Sequence, residues 1–305
     1  MVKARETDVE KRQPQRQFRA ALRLLRPEQW PKNLLVFLPL MMSHRVGELS
    51  LLISSAGAAV AFTFVAAAGY VWNDWLDRKA DAFHYRKQER ALAAGEISGT
   101  TALWLALACL VAGISAGYLV ETRLLPLLGG YFAASALYSW ILKRLAFVDV
   151  AVVACFYGAR VYAGHLATGI ELSQALIGFC LACFFSLAML KRQSEVSMLS
   201  GAALHENRRR YRPHHRPWMA ALGLGAAAAG VVVVAVYTEG EMARTLYRRP
   251  QLLWLLCPLL MLWFIRAWWL ASQGRMVDDP LAFALHDRWT WAVVAAMACL
   301  WLAAW

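Results

Sequence analysis

The chain has 305 residues, 60% of them hydrophobic, with 14 tryptophans and a net charge of +12; apolar runs of about 20 residues, the length that crosses a bilayer's hydrocarbon, recur throughout. This excludes a water-soluble globular domain, and the basic excess does not indicate a nucleic-acid partner, because it is divided among short loops and forms no continuous soluble face. The six cysteines all fall in apolar runs, and Cys180 and Cys183 form a CxxC with no second pair or histidine beside it, so they are expected to be packing residues and not a zinc or redox site.

In chain order, residues 1–26 form a polar, charged segment without the apolar stretch of a cleavable signal peptide. The pattern then predicts helices over 34–49, 51–76, 101–120, 124–142, 147–168, 172–194, 217–237, 250–271 and 289–305, each bounded by charge, Gly or Pro. Alternating loops from a cytosolic N-terminus place about 25 of the 32 Lys and Arg inside, the asymmetry expected of a cytoplasmic membrane protein. The predicted class is therefore an all-α polytopic membrane protein of about nine spans, with one membrane domain over 27–305. Its long inside loops, 77–100, 191–216 and 272–288, put any chemistry on the cytosolic face.

The end of the second span reads "NDWLDRKAD". At about 100° per residue, Asn73, Asp74, Asp77 and Asp81 fall within an arc of about 100° and extend about 12 Å along the helix. One or two acids there would be a helix leaving the membrane with its acids paired to Arg78, Lys79 or Arg86. Four aligned oxygen-bearing side chains favour a hard cation, and Mg²⁺ bridging a diphosphate suits carboxylate ligation completed by water. The loop that follows carries Lys87 and Arg90, which read either as ordinary positive-inside loop charge or as cations placed to neutralise a leaving diphosphate.

These residues, with the "AAG" that closes the loop, resemble the UbiA-type intramembrane prenyltransferase superfamily, which implies nine helices around a cavity open to the cytosol. Four further stretches narrow the resemblance. "LRPEQWPKNLLVFLPL" supplies Lys32 and Asn33, "YSWILKRLAFVDV" supplies Tyr138, Lys143 and Asp149, and "SLAMLKRQSEV" places Lys191, Arg192 and Glu195 where ordinary aromatic prenyltransferases have a second aspartate-rich motif. "DDPLAFALHDRWTW" matches the last inside loop. This set is similar to the decaprenyl-phosphate phosphoribosyltransferase-like clade, and it implies transfer of 5-phosphoribosyl from phosphoribosyl diphosphate to a polyprenyl phosphate, with Mg²⁺ and release of diphosphate. The chain departs from relatives at Ala82, Tyr85 and Ala91, where they carry an Arg, a Pro and a Pro.

Lys191, Arg192 and Glu195 also share an arc of about 100°, but with mostly inverted charge. A basic motif can grip a phosphate directly, either the 5-phosphate that a prenyl donor lacks or the acceptor phosphate, with Glu195 orienting one of the cations. Snorkelling Lys and Arg at a helix end would look the same by periodicity alone. Arg160 lies deep in the fifth span and needs a partner, either a phosphate or an acid from another helix, because Asp149 is about 16 Å away along the same helix. His84, His205, His214 and His215 are expected to be solvated or to touch lipid headgroups. Two alternatives stand beside the phosphoribosyl reading: a prenyl diphosphate donor with an aromatic or lipid acceptor, and a non-enzymatic transport or lipid-binding protein. Membrane lipid is a partner in each case, nucleic acid in none, and the oligomeric state is left open.

Overall fold

The structure, a computed structural model, describes residues 17–83, 87–198, 211–276, 283, 284 and 286–305. The expectations placed on His84, Tyr85, Arg86 and His205, on 1–16 and on 277–282 fall outside the described residues. Among the described residues every regular element is helical. The helices are α1 (Leu38–Met42), α2 (Leu49–Asp81), α3 (Gly99–Val120), α4 (Leu124–Trp140), α5 (Val148–Thr168), α6 (Gln174–Met198), α7 (Arg216–Glu239), α8 (Glu241–Leu246), α9 (Leu256–Ser272) and α10 (Arg288–Ala304). Six segments are long and apolar enough to cross a membrane: Leu49–Asp81, Gly99–Val120, Val148–Thr168, Gln174–Ser197, Pro213–Glu239 and Pro250–Ser272. The apolar helices α4 and α10 are shorter, at 17 residues each. The protein is a multi-pass, all-helical membrane protein.

The first expected helix, 34–49, is not a continuous span. Residues Pro27–Phe37 form a 3-10 segment that leads into the five-residue α1. Its prolines explain this, since each lacks an N–H, and inside an α-helix the ring collides with the carbonyl four residues back. Pro31 lies inside the 3-10 segment and Pro39 at the start of α1. The stretch between the helices expected at 217–237 and 250–271 contains a further short helix, α8. At its other end α2 outruns expectation: with 33 residues it is about 50 Å long, well over the roughly 30 Å of hydrocarbon. All four residues of the acidic stripe are therefore helical, and they fall in the last nine residues of α2.

Packing divides the chain into two compact units. One comprises residues up to Leu142 with Ala159–Ile170, the other Lys143–Gly158 with Glu171–Trp305. In the first, α2 and α3 pack along their lengths and a buried cluster of Ala20, Leu24, Val71, Leu92, Ile97 and Ala102 ties residues 17–24 and the 87–98 loop to the end of α2. The second half of α5 crosses the 3-10 segment very closely. A Cβ on Gly164 would lie 2.0 Å from the Val36 carbonyl oxygen, so no other residue fits. In the second unit α6 and α7 pack together, and Val150, Met189, Leu190, Tyr211, Met219 and Trp268 form the buried cluster. Gly223 leaves the room on α7 that Trp268 fills, since a Cβ there would meet the indole at 2.0 Å, and Trp268 donates its Nε1–H to Ser186 at 3.1 Å.

Candidate functional site

In the first unit Asp74 and Asp81, two of the stripe's residues, lie beneath a basic cover. Asp74 and Asp81 are each 5% exposed at the side chain, and both accept from the same atom: Arg90 Nη1 lies 3.0 Å from Asp74 Oδ1 and 2.7 Å from Asp81 Oδ2. Arg26 Nη2 reaches Asp74 Oδ1 at 2.5 Å, and Lys87 Nζ stands 3.8 Å from Asp81 Oδ1. Asn73 and Asp77 are half-buried on the same helix. Arg78 turns away from the stripe: it donates to the Trp75 carbonyl at 2.5 Å and lies over that indole at 4.4 Å.

Local structure fixes both arginines. Arg90 sits in a turn whose carbonyl accepts from Ala94 N at 2.8 Å. That loop closes through Gly95 in the left-handed region and ends where Ser98 caps α3 by accepting from Thr101 N at 3.0 Å. Arg26 stands at the head of the 3-10 segment with φ 50° and ψ 66°, a left-handed conformation costly for a residue with a Cβ. It lies over the Tyr70 ring at 5.3 Å, and an ion pair between Arg23 and Glu96 fastens residues 17–24 to the loop.

Two carboxylates thus converge on one cationic nitrogen. Among the described residues no group of three or more His, Cys, Asp or Glu is close enough to hold a metal ion, but Mg²⁺ characteristically takes only one or two carboxylates and completes its octahedron with water and phosphate oxygens. The donor set of Asp74 and Asp81 fits that chemistry, because all of it is hard oxygen and it already converges on a single positive point.

Arg160, in the second half of α5, is buried at 3% exposure. Its Nε donates to Asn33 Oδ1 at 2.8 Å and its Nη2 to Tyr131 OH at 2.9 Å, and its guanidinium lies over the rings of Phe62 and Tyr131 at 5.3 and 5.2 Å. Asn33 in turn donates to Thr63 Oγ1 at 2.8 Å. Neutral oxygens and two π faces are thus among the groups that hold this charge inside a membrane span. Lys32 is half-buried in the 3-10 segment.

In the second unit, Arg192 at the end of α6 is 6% exposed at the side chain and held by two acids. Its Nε donates to Asp149 Oδ2 at 2.8 Å and its Nη1 to both Glu195 oxygens at 2.7 Å. Asp149, wholly buried, also accepts from Tyr211 OH at 2.5 Å, and the Tyr211 oxygen accepts from Phe147 N at 2.7 Å. Burial, and then the Asp149 carboxylate, push the Tyr211 phenol well above its ordinary pKa. Lys191 is half-buried on the same helix. Tyr138 belongs to the first unit and Lys143 to the second, and both are half-buried. Arg266, within α9, pairs with both oxygens of Asp287 at 2.6 and 3.0 Å, and Asp287 caps α10 by accepting from Thr290 N at 2.9 Å.

Arg26, Tyr131 and Tyr211 are the residues that sequence reasoning missed. Arg26 lies in the quoted "LRPEQW" and Tyr211 is the lone aromatic in "RRRYRP", so their setting was visible but their partners were not.

A protein of Sinorhizobium fredii (strain NGR234) designated y4nM is 31% identical over 299 residues, 97% of this chain, and the match spans 57% of that longer protein. A protein of Mycobacterium tuberculosis (strain H37Rv) named decaprenyl-phosphate phosphoribosyltransferase is 27% identical over 304 residues, 97% of this chain and 96% of its own length. The solved structure of a UbiA homologue from Archaeoglobus fulgidus, bound to GPP and Mg²⁺, superposes with a TM-score of 0.68 at 17% identity, covering 93% of this chain and 99% of that one. At that identity the likeness shows the fold. The profile of the UbiA prenyltransferase family matches residues 34–286, most of the length over which the helices and the acidic stripe have been traced, and the chain belongs to that family.

Proposed function

We propose that the chain is a Mg²⁺-dependent membrane transferase that moves 5-phosphoribosyl from phosphoribosyl diphosphate to a polyprenyl phosphate and releases diphosphate. The observation that carries the choice of donor is the basic motif at the end of α6. Where a second acidic group would bind a second metal, this chain has Lys191, and an Arg192 whose fork is fixed by Asp149 and Glu195. The named activity of the M. tuberculosis relative, which matches over nearly its full length, supports the same reading.

In this reading Asp74 and Asp81 would hold the ion directly, with Asn73 and Asp77 beside them on the stripe reaching it through water, and the ion would supply charge neutralisation at the diphosphate. Lys87 and Arg90 stabilise the diphosphate as the C1–O bond breaks and its electron pair stays on the leaving oxygen. Lys191 grips a substrate phosphate, with Arg192 beside it, and Asp149 and Glu195 set the direction of the guanidinium. Lys32, Asn33, Tyr138, Lys143 and Arg160 shape the substrate surroundings, Asn33 and Arg160 by fixing the 3-10 segment against α5. The lipid phosphate is already anionic, so it attacks without a general base, and the aspartates act as ligands. We place the domain at 27–305, in the cytoplasmic membrane with the site facing the cytosol.

A second reading, a prenyl diphosphate donor with an aromatic or lipid acceptor, is favoured by the acidic stripe alone, which would serve either diphosphate. Purified protein given Mg²⁺, polyprenyl phosphate and either radiolabelled phosphoribosyl diphosphate or a labelled prenyl diphosphate separates the two. Ribosyl label in lipid is expected. Prenyl label in an acceptor without ribosyl label would replace the first reading with the second.

A further inference from the structure

The cations over the stripe are layered. Asp74 and Asp81 lie beneath at 5% side-chain exposure, whereas Arg26, Arg90 and Lys87 are 21, 30 and 42% exposed. A ligand arriving from solvent meets the cations first. The two buried carboxylates are paired with three cations, Asp74 with Arg26 and Arg90, and Asp81 with Arg90 and Lys87. A divalent cation arriving alone would displace Arg90 from the nitrogen position it shares between two carboxylates and leave it, with Arg26, facing added positive charge. A diphosphate arriving alone would draw the guanidiniums off and leave buried carboxylates uncompensated, which is strongly unfavourable. Arriving together they exchange partners: the carboxylates pass from guanidinium to metal, and Arg90 and Arg26 pass from carboxylate to diphosphate oxygens.

We propose that Arg90 and Arg26 are exchangeable counter-ions that make metal and diphosphate binding mutually dependent, so that the stripe loads the two as a pair and holds the metal only weakly by itself. The strained backbone of Arg26 is then explained as the conformation that aims its side chain at Asp74 from 48 residues away. This inference rests on the metal reading of the stripe given above and adds a coupling to it.

The test needs no turnover. Mn²⁺ binding to the purified full chain is followed by electron paramagnetic resonance with and without methylenediphosphonate, a diphosphate that cannot transfer. For the wild type, saturating analogue is expected to tighten Mn²⁺ binding at least about ten-fold, about 1.4 kcal/mol, and Mn²⁺ is expected to tighten the analogue by the same factor, because coupling is reciprocal. Arg90→Gln should bind Mn²⁺ several-fold more tightly than wild type without the analogue and lose most of the enhancement. Arg26→Gln should move the same way by less, and it serves if Arg90→Gln does not fold. Equal Mn²⁺ affinity with and without analogue in the wild type, or variants no tighter than wild type, would overturn the coupling while leaving the metal reading intact. No Mn²⁺ binding under either condition, or unchanged binding in Asp74→Asn with Asp81→Asn, would remove the metal reading and the coupling together.

Discussion

Replacing Arg192 with lysine keeps the charge and removes the fork. In the structure the guanidinium makes charge-assisted bonds from two nitrogens to two carboxylates, Nε to Asp149 at 2.8 Å and Nη1 to Glu195 at 2.7 Å. An ammonium is a single point and can satisfy one of these groups, not both in this geometry. One charge-assisted interaction, worth about 1.5 to 3 kcal/mol, is therefore lost, or about one to two decades in an equilibrium constant. Asp149 keeps its bond from Tyr211, so the buried acid stays partnered and the fold should survive. We expect kcat/KM for phosphoribosyl diphosphate or for polyprenyl phosphate to fall about 10- to 100-fold. The assay measures both KM values by lipid-incorporated ribosyl label and follows thermal unfolding by tryptophan fluorescence. If kcat/KM stayed within two-fold of wild type for both substrates, Arg192 would be a structural tie and the phosphate-gripping argument would fall.

Asp74→Asn or Asp77→Asn removes charge from the stripe with little change of shape, and turnover at limiting Mg²⁺ should be lost with the protein still folded; wild-type turnover would make the stripe structural. In a background without the six native cysteines, Glu241→Cys should react with an impermeant thiol reagent from outside the cell and Gln88→Cys should not, and labelling at 88 would invert the topology. Asp287 is held below its ordinary pKa first by its bond from Arg266, then by Thr290. A depressed acid contributes stability above the ordinary value of 3.8 and loses it as pH falls through the folded value. Arg266→Gln should therefore lower the thermal midpoint at neutral pH and flatten its decline as pH falls below 3.8, and a decline parallel to wild type would show that the pair contributes nothing.

The acidic stripe was legible because the four residues share one helix, where spacing alone sets direction, and Arg90 was legible because its short loop returns to the same helix end. Arg26 meets Asp74 across 48 positions, Tyr211 meets Asp149 across 62 and Arg160 meets Asn33 across 127. No periodicity reports pairings of that kind, since they depend on which helices lie side by side. The Asn33 and Tyr131 partners of Arg160 were hidden for a further reason: a buried charge shows that compensation is required, but not which groups share in supplying it. The first expected helix failed differently. Apolar content suggested a span, but Pro31 and Pro39 carried the local backbone information and outweighed it.

The excess length of α2 makes the surrounding bilayer a participant. A helix of 33 residues cannot hide its whole length in a hydrocarbon slab of about 30 Å, and small hydrophobic mismatches are resolved by tilt or by local thickening and thinning of lipid. Its polar end begins beside Trp72 and Trp75, stacked at 5.5 Å, the kind of amphipathic rings that settle at a headgroup boundary. Longer acyl chains would press that boundary toward Asn73 and Asp77, and shorter ones would leave the stripe further into water. Acyl-chain length is therefore a physical control on how well the carboxylates are hydrated, exerted by lipids that never touch a substrate.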